Sequence, residues 1–309
     1  SVETILHAMF PYAYVVHLHP ALVNGVLCSM QAEKSIRELF GADVLYLPYT
    51  TPGYILSKTL FDSFAAWSKQ GRRFPSIVFL QNHGIFVAAD SVQEIDAIYS
   101  MVFDRIRGRI LKAPDFSVPK TGADVLAREA AAVKNALACA AAANLENPSV
   151  EFETNNELLG FADSAKNFAP LNGAFSPDHI VYAGVRPLYV PRTTLDGIAL
   201  DELAENDLGA EASQSSDKTK KIQAALAKQI DAYIAQEGTY PHVIVVEKLG
   251  AFGLAKNAKA AQLALMLFND AIKVSVYSGS FGGPHFMDPA DVDFIKKWEV
   301  EQYRSTVSA

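Results

Sequence analysis

The hydrophobic and polar positions follow two alternating periods from about residue 14 to residue 106. Short apolar runs that favour β-strands lie at 14–16, 44–47, 76–80 and 85–87. Apolar side chains recur at helical spacing over 32–40, 55–69 and 91–108. Ser91 is followed three residues later by Glu94, a capping box that predicts where the last of these helices begins. This alternation of strands and helices predicts an α/β domain.

The second half of the chain starts after a stretch, about 112–126, with little strand character. An Ala-rich segment at about 123–144 predicts a helix, and the polar stretch 205–219 predicts an exposed loop. We therefore expect two domains, at 1–115 and 116–309.

A faint internal repeat relates the two halves. Residues 75–106 align without gaps on 241–272, and the apolar pattern agrees between the two segments. The identities are Pro75/Pro241, Gly84/Gly250, Phe86/Phe252, Ala89/Ala255, Asp104/Asp270 and Ile106/Ile272. Either the domain has been duplicated, or both segments share a common strand–turn–strand–helix pattern. At the turn, the first segment has Asn82-His83-Gly84 and the second has Lys248-Leu249-Gly250.

Composition and charge narrow the function. Half of the 309 residues are hydrophobic, and the formal net charge is -7. Nucleic acids and anionic membranes would call for a basic face, so we expect neither as a partner. No apolar run reaches the roughly 18 residues needed to span a bilayer. The two cysteines, Cys28 and Cys139, do not suggest a disulfide framework. We expect a soluble, cytoplasmic protein with a small-molecule substrate.

Three histidines stand out because each follows an apolar, strand-like run. His17-Leu18-His19 comes after Tyr14-Val15-Val16, and His83 comes after the run 76–80. Alternate residues of a strand point to the same face, so His17 and His19 can aim at one point, and His83 can supply a third imidazole. Three imidazoles around an open position are typical of a catalytic zinc site. The alternatives are a surface or core histidine pair and a plain turn at His83-Gly84.

Four motifs in the first half occur in the order of a known family. They are Glu3-Thr4-Ile5-Leu6-His7, His17-Leu18-His19-Pro20, Leu47-Pro48-Tyr49-Thr50-Thr51-Pro52-Gly53 and Gln81-Asn82-His83-Gly84-Ile85-Phe86-Val87. This order resembles the class II aldolase/adducin family, which includes the zinc-dependent fuculose- and rhamnulose-phosphate aldolases. The chain is most similar to the aldolase part of bifunctional rhamnulose-phosphate aldolase/dehydrogenase proteins. Looser motifs extend that resemblance through Pro177-Asp178-His179, 186–191 and 298–301.

The resemblance implies a fold and a site. It implies a layered α/β/α domain followed by a second α/β domain, a degenerate repeat that lacks the metal histidines. His17, His19 and His83 match the zinc ligands, although another divalent metal would suit them too. Glu3 matches the acid/base carboxylate beside the metal. Tyr49 matches a tyrosine that protonates the leaving carbanion or oxygen across a subunit interface, so we expect a homo-oligomer.

The function expected from this resemblance is a zinc-dependent lyase, an aldolase that cleaves a ketose phosphate or a similar hydroxy-carbonyl sugar. A sugar-phosphate epimerase or dehydratase would use nearly the same parts, and an adducin-like relative would be non-catalytic. The family's phosphate-binding turns lie upstream of the segment matched by Glu3. We therefore expect an upstream segment to complete the site, a substrate that is not held by its phosphate, or an inactive relative. No pattern in the sequence gives His242 or His285 a partner.

Overall fold

The computed structural model describes residues 3–120, 122–195 and 212–299. The strands are β1 (Tyr14–Leu18), β2 (Leu45–Leu47), β3 (Ile77–Leu80), β4 (Gly84–Ala89), β5 (Ser149–Glu153), β6 (Leu188–Val190), β7 (Val243–Val246) and β8 (Gly250–Ala255). The helices are α1 (Thr4–Ala8), α2 (Ala21–Leu27), α3 (Ala32–Phe40), α4 (Tyr54–Ser68), α5 (Val92–Arg107), α6 (Ala123–Ala141), α7 (Asn156–Ala162), α8 (Ala165–Phe168), α9 (Ala212–Glu237), α10 (Ala258–Ser278) and α11 (Pro289–Lys297).

These elements form two compact units. One consists of the described residues within Ser1–Ala113 and Lys273–Asp291, and the other of those within Pro114–Ile272 and Val292–Ala309. The first unit therefore includes the end of α10 and the segment that follows it. The boundary predicted between residues 115 and 116 stays a prediction.

The sheet of the first unit has the strand order β1-β4-β3-β2, in which only β2 and β3 run parallel. Ile77 and Phe79 pack on one side with α2, α3 and α5. Val78 and Leu80 pack on the other side with α1 and α4. Both faces of β3 and β4 are thus covered by helices, which explains why these strands are continuous apolar runs. The predicted α/β/α layering is confirmed.

The second unit repeats this plan. Its sheet has the order β5-β8-β7-β6, and again only β6 and β7 run parallel. Val78 pairs with Phe86 in the first sheet, and Ile244 pairs with Phe252 at the same register in the second. The turns also correspond, because the Asn82 N–H donates to the Leu27 carbonyl and the Lys248 N–H to the Ala162 carbonyl. Order, register and turn agree, so the second unit is a structural repeat of the first.

Two local features differ from the sequence-based expectations. Of the loop predicted at 205–219, residues 205–211 lie outside the described residues, and 212–219 form the start of α9. The prediction was wrong for 212–219. Further along the same helix, Ile222, Leu226 and Ile230 recur every four residues and are buried in the core. Helix α2 was not predicted, since seven residues are too few to show a period.

None of the helices that the structure describes combines the length and the apolar character required to cross a bilayer.

Candidate metal centre

The three histidines singled out from the sequence meet at one end of the first sheet. His17 lies in β1, His19 lies one residue beyond its end, and His83 lies in the turn between β3 and β4. Because β1 and β4 are antiparallel neighbours, the end of β1 comes beside this turn. The ring centroids of the three pairs are 4.7 Å (His17–His19), 5.0 Å (His17–His83) and 4.9 Å (His19–His83) apart.

The Nε2 atoms face one another. Nε2 of His17 lies 2.8 Å from that of His19 and 3.3 Å from that of His83. The other ring nitrogen of His17, Nδ1, lies 3.0 Å from the carbonyl oxygen of Ile85. A carbonyl can only accept, so Nδ1 carries the proton and Nε2 of the neutral ring has a free lone pair. Facing lone pairs of this kind are suited to holding a cation between them.

Glu3 brings a carboxylate to the same point. Its Oε1 atom lies 3.0 Å from Nε2 of His83 and 3.3 Å from Nε2 of His17. One ligand atom from each of Glu3, His17, His19 and His83 falls within a group whose members are all within 4.8 Å of one another. Burial acts to raise the pKa of Glu3, but hydrogen bonds to His17 and His83 and electrostatic interactions with them outweigh it and hold that pKa well below its usual range.

This donor set fits zinc. Imidazole nitrogens bind Zn²⁺ at about 2.0–2.1 Å, so two nitrogens of a tetrahedral site lie about 3.3 Å apart. The His17–His83 separation has that value, and the His17–His19 separation is shorter, at 2.8 Å. Three imidazoles and a neighbouring carboxylate suit Zn²⁺ and other divalent metals of similar preference. No thiolate belongs to the group.

Close packing places the rings. The His17 ring stacks on Phe86 at a centroid distance of 4.0 Å and an interplanar angle of 15°. Gly84 leaves room for the rings, because a Cβ at this position would meet Cδ2 of His19 and, at 2.5 Å, the carbonyl oxygen of Leu18. Glycine at position 84 is therefore required by the close approach of β1 and not by a turn alone.

His83 is buried, with 6% of its surface exposed. Burial lowers its pKa to about 4; the charges of His19 and His17 add to this effect, and the hydrogen bond to Glu3 opposes it. The side-chain amide of Asn24 donates to the His83 carbonyl oxygen at 3.2 Å. The neighbouring Asn82 is 1% exposed and bonds to His285. No sequence pattern assigned a role to these two asparagines. The only signal was the amide of Asn24 inside an otherwise apolar segment.

Tyr49 is not brought into this cluster by any hydrogen bond. Its N–H donates to Oε1 of Gln81 at 3.2 Å, which holds it next to the turn that carries His83. Its hydroxyl is buried and has no hydrogen-bond partner among the residues that the structure describes. Burial, helped by the nearby charge of Asp291, raises its pKa well above the usual range.

Among the described residues of the second unit, no such group of ligands occurs. The register β1–β4 against β5–β8 makes Phe152 the counterpart of His17, since their partners Phe86 and Phe252 correspond. By the same alignment Thr154 replaces His19, and Leu249 replaces His83. An aromatic ring, a hydroxyl and an aliphatic side chain cannot form an imidazole site. The second unit retains the fold without the ligands.

Two family models match the chain, one in each part. The family model described as the Class II Aldolase and Adducin N-terminal domain matches residues 1–102. The model described as Aldolase class II, second domain, matches residues 124–304, more than half of the chain. The chain belongs to the class II aldolase family, with its N-terminal domain followed by the second domain of that family.

Two further similarities concern individual proteins. The chain is 24% identical over 323 aligned positions to a Bacillus subtilis (strain 168) protein named "Uncharacterized oxidoreductase YuxG". That alignment covers 100% of this chain and 44% of the relative, so the chain spans less than half of the relative's length. A solved structure, the N-terminal class II aldolase domain of a conserved protein from Thermoplasma acidophilum, is 27% identical over 35% of this chain and 47% of that one, with a TM-score of 0.30.

Proposed function

We propose that this chain is a zinc-dependent lyase of the aldolase type that cleaves a ketose phosphate or a similar hydroxy-carbonyl sugar. The observation that carries the proposal is the convergence of three Nε2 atoms and one carboxylate oxygen at a single point. His17, His19 and His83 would hold the metal, and Glu3 would be the acid/base group.

Each residue of the site has a role in such a cleavage. A divalent metal held by the three imidazoles would act as a Lewis acid for the negative charge that develops on the substrate oxygens. Glu3 would accept the proton of the substrate hydroxyl as the carbon–carbon bond breaks and the aldehyde forms. It would then return that proton to the carbon of the enediolate, which balances the reaction. A carboxylate with a side chain 23% exposed can reach both the metal ligands and an incoming substrate.

The residues around the site support this arrangement in other ways. The hydrogen bond from His17 Nδ1 to the Ile85 carbonyl fixes the ring that stacks on Phe86. The low pKa of His83 keeps its imidazole neutral, the form that binds metals. The family resemblance implies that Tyr49 of another copy of the chain would protonate the leaving carbanion in place of Glu3. Glu3 would then only accept the hydroxyl proton, so that one proton is still taken up and one given back.

The oxidoreductase name of the Bacillus relative suggests a different chemistry, hydride transfer. Dinucleotide sites carry the pattern G-x-G-x-x-G. No two glycines in this sequence are separated by a single residue, so the pattern does not occur here. We therefore assign the lyase step, and not hydride transfer, to this chain.

We further propose a cytoplasmic homo-oligomer. Neither Cys28 nor Cys139 forms a disulfide, which suits a reducing compartment. Tyr54, Ile55 and Phe61 on α4 are exposed, and large apolar side chains grouped on a surface are typical of protein–protein contacts. Light scattering of the purified chain would measure the oligomeric state.

The test combines metal analysis with product analysis. The full chain, loaded with Zn²⁺, is incubated with a panel of ketose phosphates and the corresponding free sugars, and the carbonyl products are identified. We expect an aldehyde and a shorter ketone fragment, and a loss of about 10²–10⁴-fold in kcat for Glu3→Gln. Glu33→Gln, an exposed carboxylate paired with Arg37, is the control and should leave the rate unchanged.

The result that contradicts the lyase is specific. A zinc-loaded chain that converts a sugar phosphate without breaking a carbon–carbon bond is an epimerase or a dehydratase, which the product distinguishes. A chain that takes up no divalent metal even when Zn²⁺ is supplied would overturn the metal site itself.

A further inference from the structure

The turn that carries His83 is held by side chains that have no role in the reaction proposed above. We infer that Asn24, Asn82 and His285 are positioning residues that hold His83 in place as a metal ligand. This inference rests on the proposed metal site and adds three residues to it, none of which would touch the metal or the substrate.

Asn82 is the first of these residues. Its backbone has φ = 51°, in the left-handed region, and it is 1% exposed. Its Nδ2 donates to the carbonyl oxygen of His285 at 2.9 Å, and its Oδ1 lies 3.3 Å from Nδ1 of the same histidine. Both polar atoms of the amide are therefore directed at one residue more than 200 positions away in the sequence.

His285 is itself fixed by the chain around it. The segment 279–285 follows α10 and runs beside the start of the first unit: the His285 N–H donates to the Cys28 carbonyl, and the Met30 N–H donates to the Gly283 carbonyl. Phe281, in the same segment, is 2% exposed and belongs to the core beside α2 and α5. This segment lies within the part of the chain matched by the family's second domain, yet its contacts hold it in the first unit.

Asn24 holds the turn from the other side. Its Nδ2 donates to the His83 carbonyl oxygen at 3.2 Å, and the residue is 1% exposed. Its own Oδ1 is buried without a hydrogen-bond partner in the part of the chain that the structure describes. An unpaired buried oxygen lowers the stability of a folded protein. The fold thus keeps an amide at position 24 although one of its two polar atoms has no partner.

The structural repeat shows that the turn itself does not need these side chains. Lys248 takes the place of Asn82 with nearly the same backbone angle, φ = 58°, and its side chain is exposed. Leu27 corresponds to Ala162 through the matching turn hydrogen bonds, and the same separation in sequence makes Leu159 the counterpart of Asn24. The same turn forms in both units, but at these two positions only the unit with the metal histidines has buried amides. Their role is therefore tied to the histidines and not to the turn.

These contacts would fix the position of one metal ligand, His83. His83 is the only ligand of the three that is supplied by a turn instead of the β1 segment. Side chains that fix a ligand from behind typically change metal affinity by 10–100-fold when they are removed. We expect Asn82 to act on the backbone before His83, and Asn24 on its carbonyl group.

The experiment measures metal affinity and coordination in the full chain. Zn²⁺ affinity is determined by competition with a chromophoric chelator, and the visible absorption spectrum is recorded with Co²⁺ in place of Zn²⁺. The variants are Asn82→Gly, Asn24→Leu and His285→Ala, and the matched control is Lys248→Gly at the equivalent turn. Glycine keeps the left-handed backbone angle accessible in both turn variants.

We expect Asn82→Gly and Asn24→Leu to weaken Zn²⁺ binding by about 10–100-fold and to alter the Co²⁺ spectrum, with a smaller effect for His285→Ala. Lys248→Gly should change neither. A purely structural role would lower the melting temperature of the metal-free protein. Asn24→Leu removes the unpaired oxygen together with the donor to the His83 carbonyl, so we expect these opposing effects to leave the melting temperature of the metal-free protein nearly unchanged.

Each outcome decides the matter. Wild-type affinity and an unaltered spectrum in Asn24→Leu and Asn82→Gly would overturn the inference while leaving the metal site intact. A wild-type chain that binds no metal would overturn both this inference and the proposed function. If Asn82→Gly does not fold, Asn24→Leu and His285→Ala carry the decision.

Discussion

Nδ1 of His17 and the carbonyl oxygen of Ile85 lie 3.0 Å apart, across the β1–β4 pair. This single contact joins the sheet to the chemistry of the site. It fixes which ring nitrogen carries the proton, and so directs the free lone pair of Nε2 at His19 and His83. Strand pairing therefore orients the His17 imidazole as a metal ligand in the metal-free protein.

Replacement of His83 should remove metal binding. In His83→Ala the third imidazole is lost, so we expect the Zn²⁺ content to fall from about one ion per chain to none, because two imidazoles make a weak zinc site. Elemental analysis after dialysis measures the content. Leu249→Ala, at the equivalent position of the repeat, is the control: it should lower stability by about 2–5 kcal/mol and leave the zinc content unchanged. Full zinc content in His83→Ala would show that the ligand assignment is wrong.

The two glycines at the matching turns, Gly84 and Gly250, should respond differently to replacement by alanine. In Gly84→Ala the new Cβ would press on His19 and the Leu18 carbonyl, so both stability and metal affinity should fall. In Gly250→Ala the Cβ would lie 2.6 Å from the Glu153 carbonyl and 2.8 Å from the Phe152 ring, at φ = 149°. This variant should lose about 1–3 kcal/mol of stability and keep its metal affinity. Thermal melting and chelator competition separate the two effects; weakened metal binding in Gly250→Ala would contradict the prediction.

A partly buried ion pair lies in the second unit at the position where the first has Tyr49. Arg192 follows β6 as Tyr49 follows β2, and its two NH groups bond to both carboxylate oxygens of Glu129 at 2.9 and 2.7 Å. Glu129 has a side chain only 10% exposed. Arg192→Leu should lower the free energy of unfolding by about 1–3 kcal/mol, because it leaves this carboxylate buried and unpaired.

Calorimetric melting measures this effect against an exposed pair. Arg37→Leu breaks an ion pair with Glu33 on α3, where both side chains are more than half exposed. Pairs of that kind contribute at most about 1 kcal/mol. Equal losses in the two variants would mean that the Arg192–Glu129 contact contributes no more than a surface pair.

The second unit should lose stability below neutral pH through His242. Burial lowers the pKa of His242 in the folded state from its ordinary value of 6.5, and its hydrogen bond to the Tyr182 carbonyl opposes this only in part. As the pH falls below about 6.5, the unfolded chain takes up this proton before the folded chain does, so stability falls. Melting curves of the wild type and His242→Gln, recorded from about pH 7 to pH 5, should converge or cross in favour of the variant at the acidic end. Parallel curves would show that His242 makes no contribution.

Several features of the site followed from the sequence. The spacing of His17 and His19 behind an apolar run, and the position of His83 at the end of another, predicted three imidazoles in one place, and the rings do meet. The helix beginning after Ser91 was also predicted, and the Ser91 hydroxyl accepts from the Glu94 N–H. These features depend on contacts between residues a few positions apart, or on a period that repeats along one element.

Other parts of the site had no sequence signal. His285 meets Asn82 only because the segment after α10 returns to the first unit, and nothing near either residue indicates a partner so distant. Asn24 is one polar residue in an apolar stretch. The helix that contains it has only seven residues, which is too short for a sequence pattern to predict its buried face. Phe152 and Thr154 are the counterparts of His17 and His19 in the repeat. The register of the strands identifies them, and sequence identity does not.

The sequence by itself determined the α/β class, the alternating elements of the first unit and the identity of the three histidines. Local periodicity and the side-chain direction along a strand are encoded in neighbouring residues, and this is why these features could be predicted. The layered arrangement and the place of Glu3 beside the histidines were implied by the family resemblance. Only the tertiary structure decided that Tyr49 makes no hydrogen bond to the histidines, and that Asn82 and His285 are partners. Those relationships depend on how distant segments pack together, which no local pattern records.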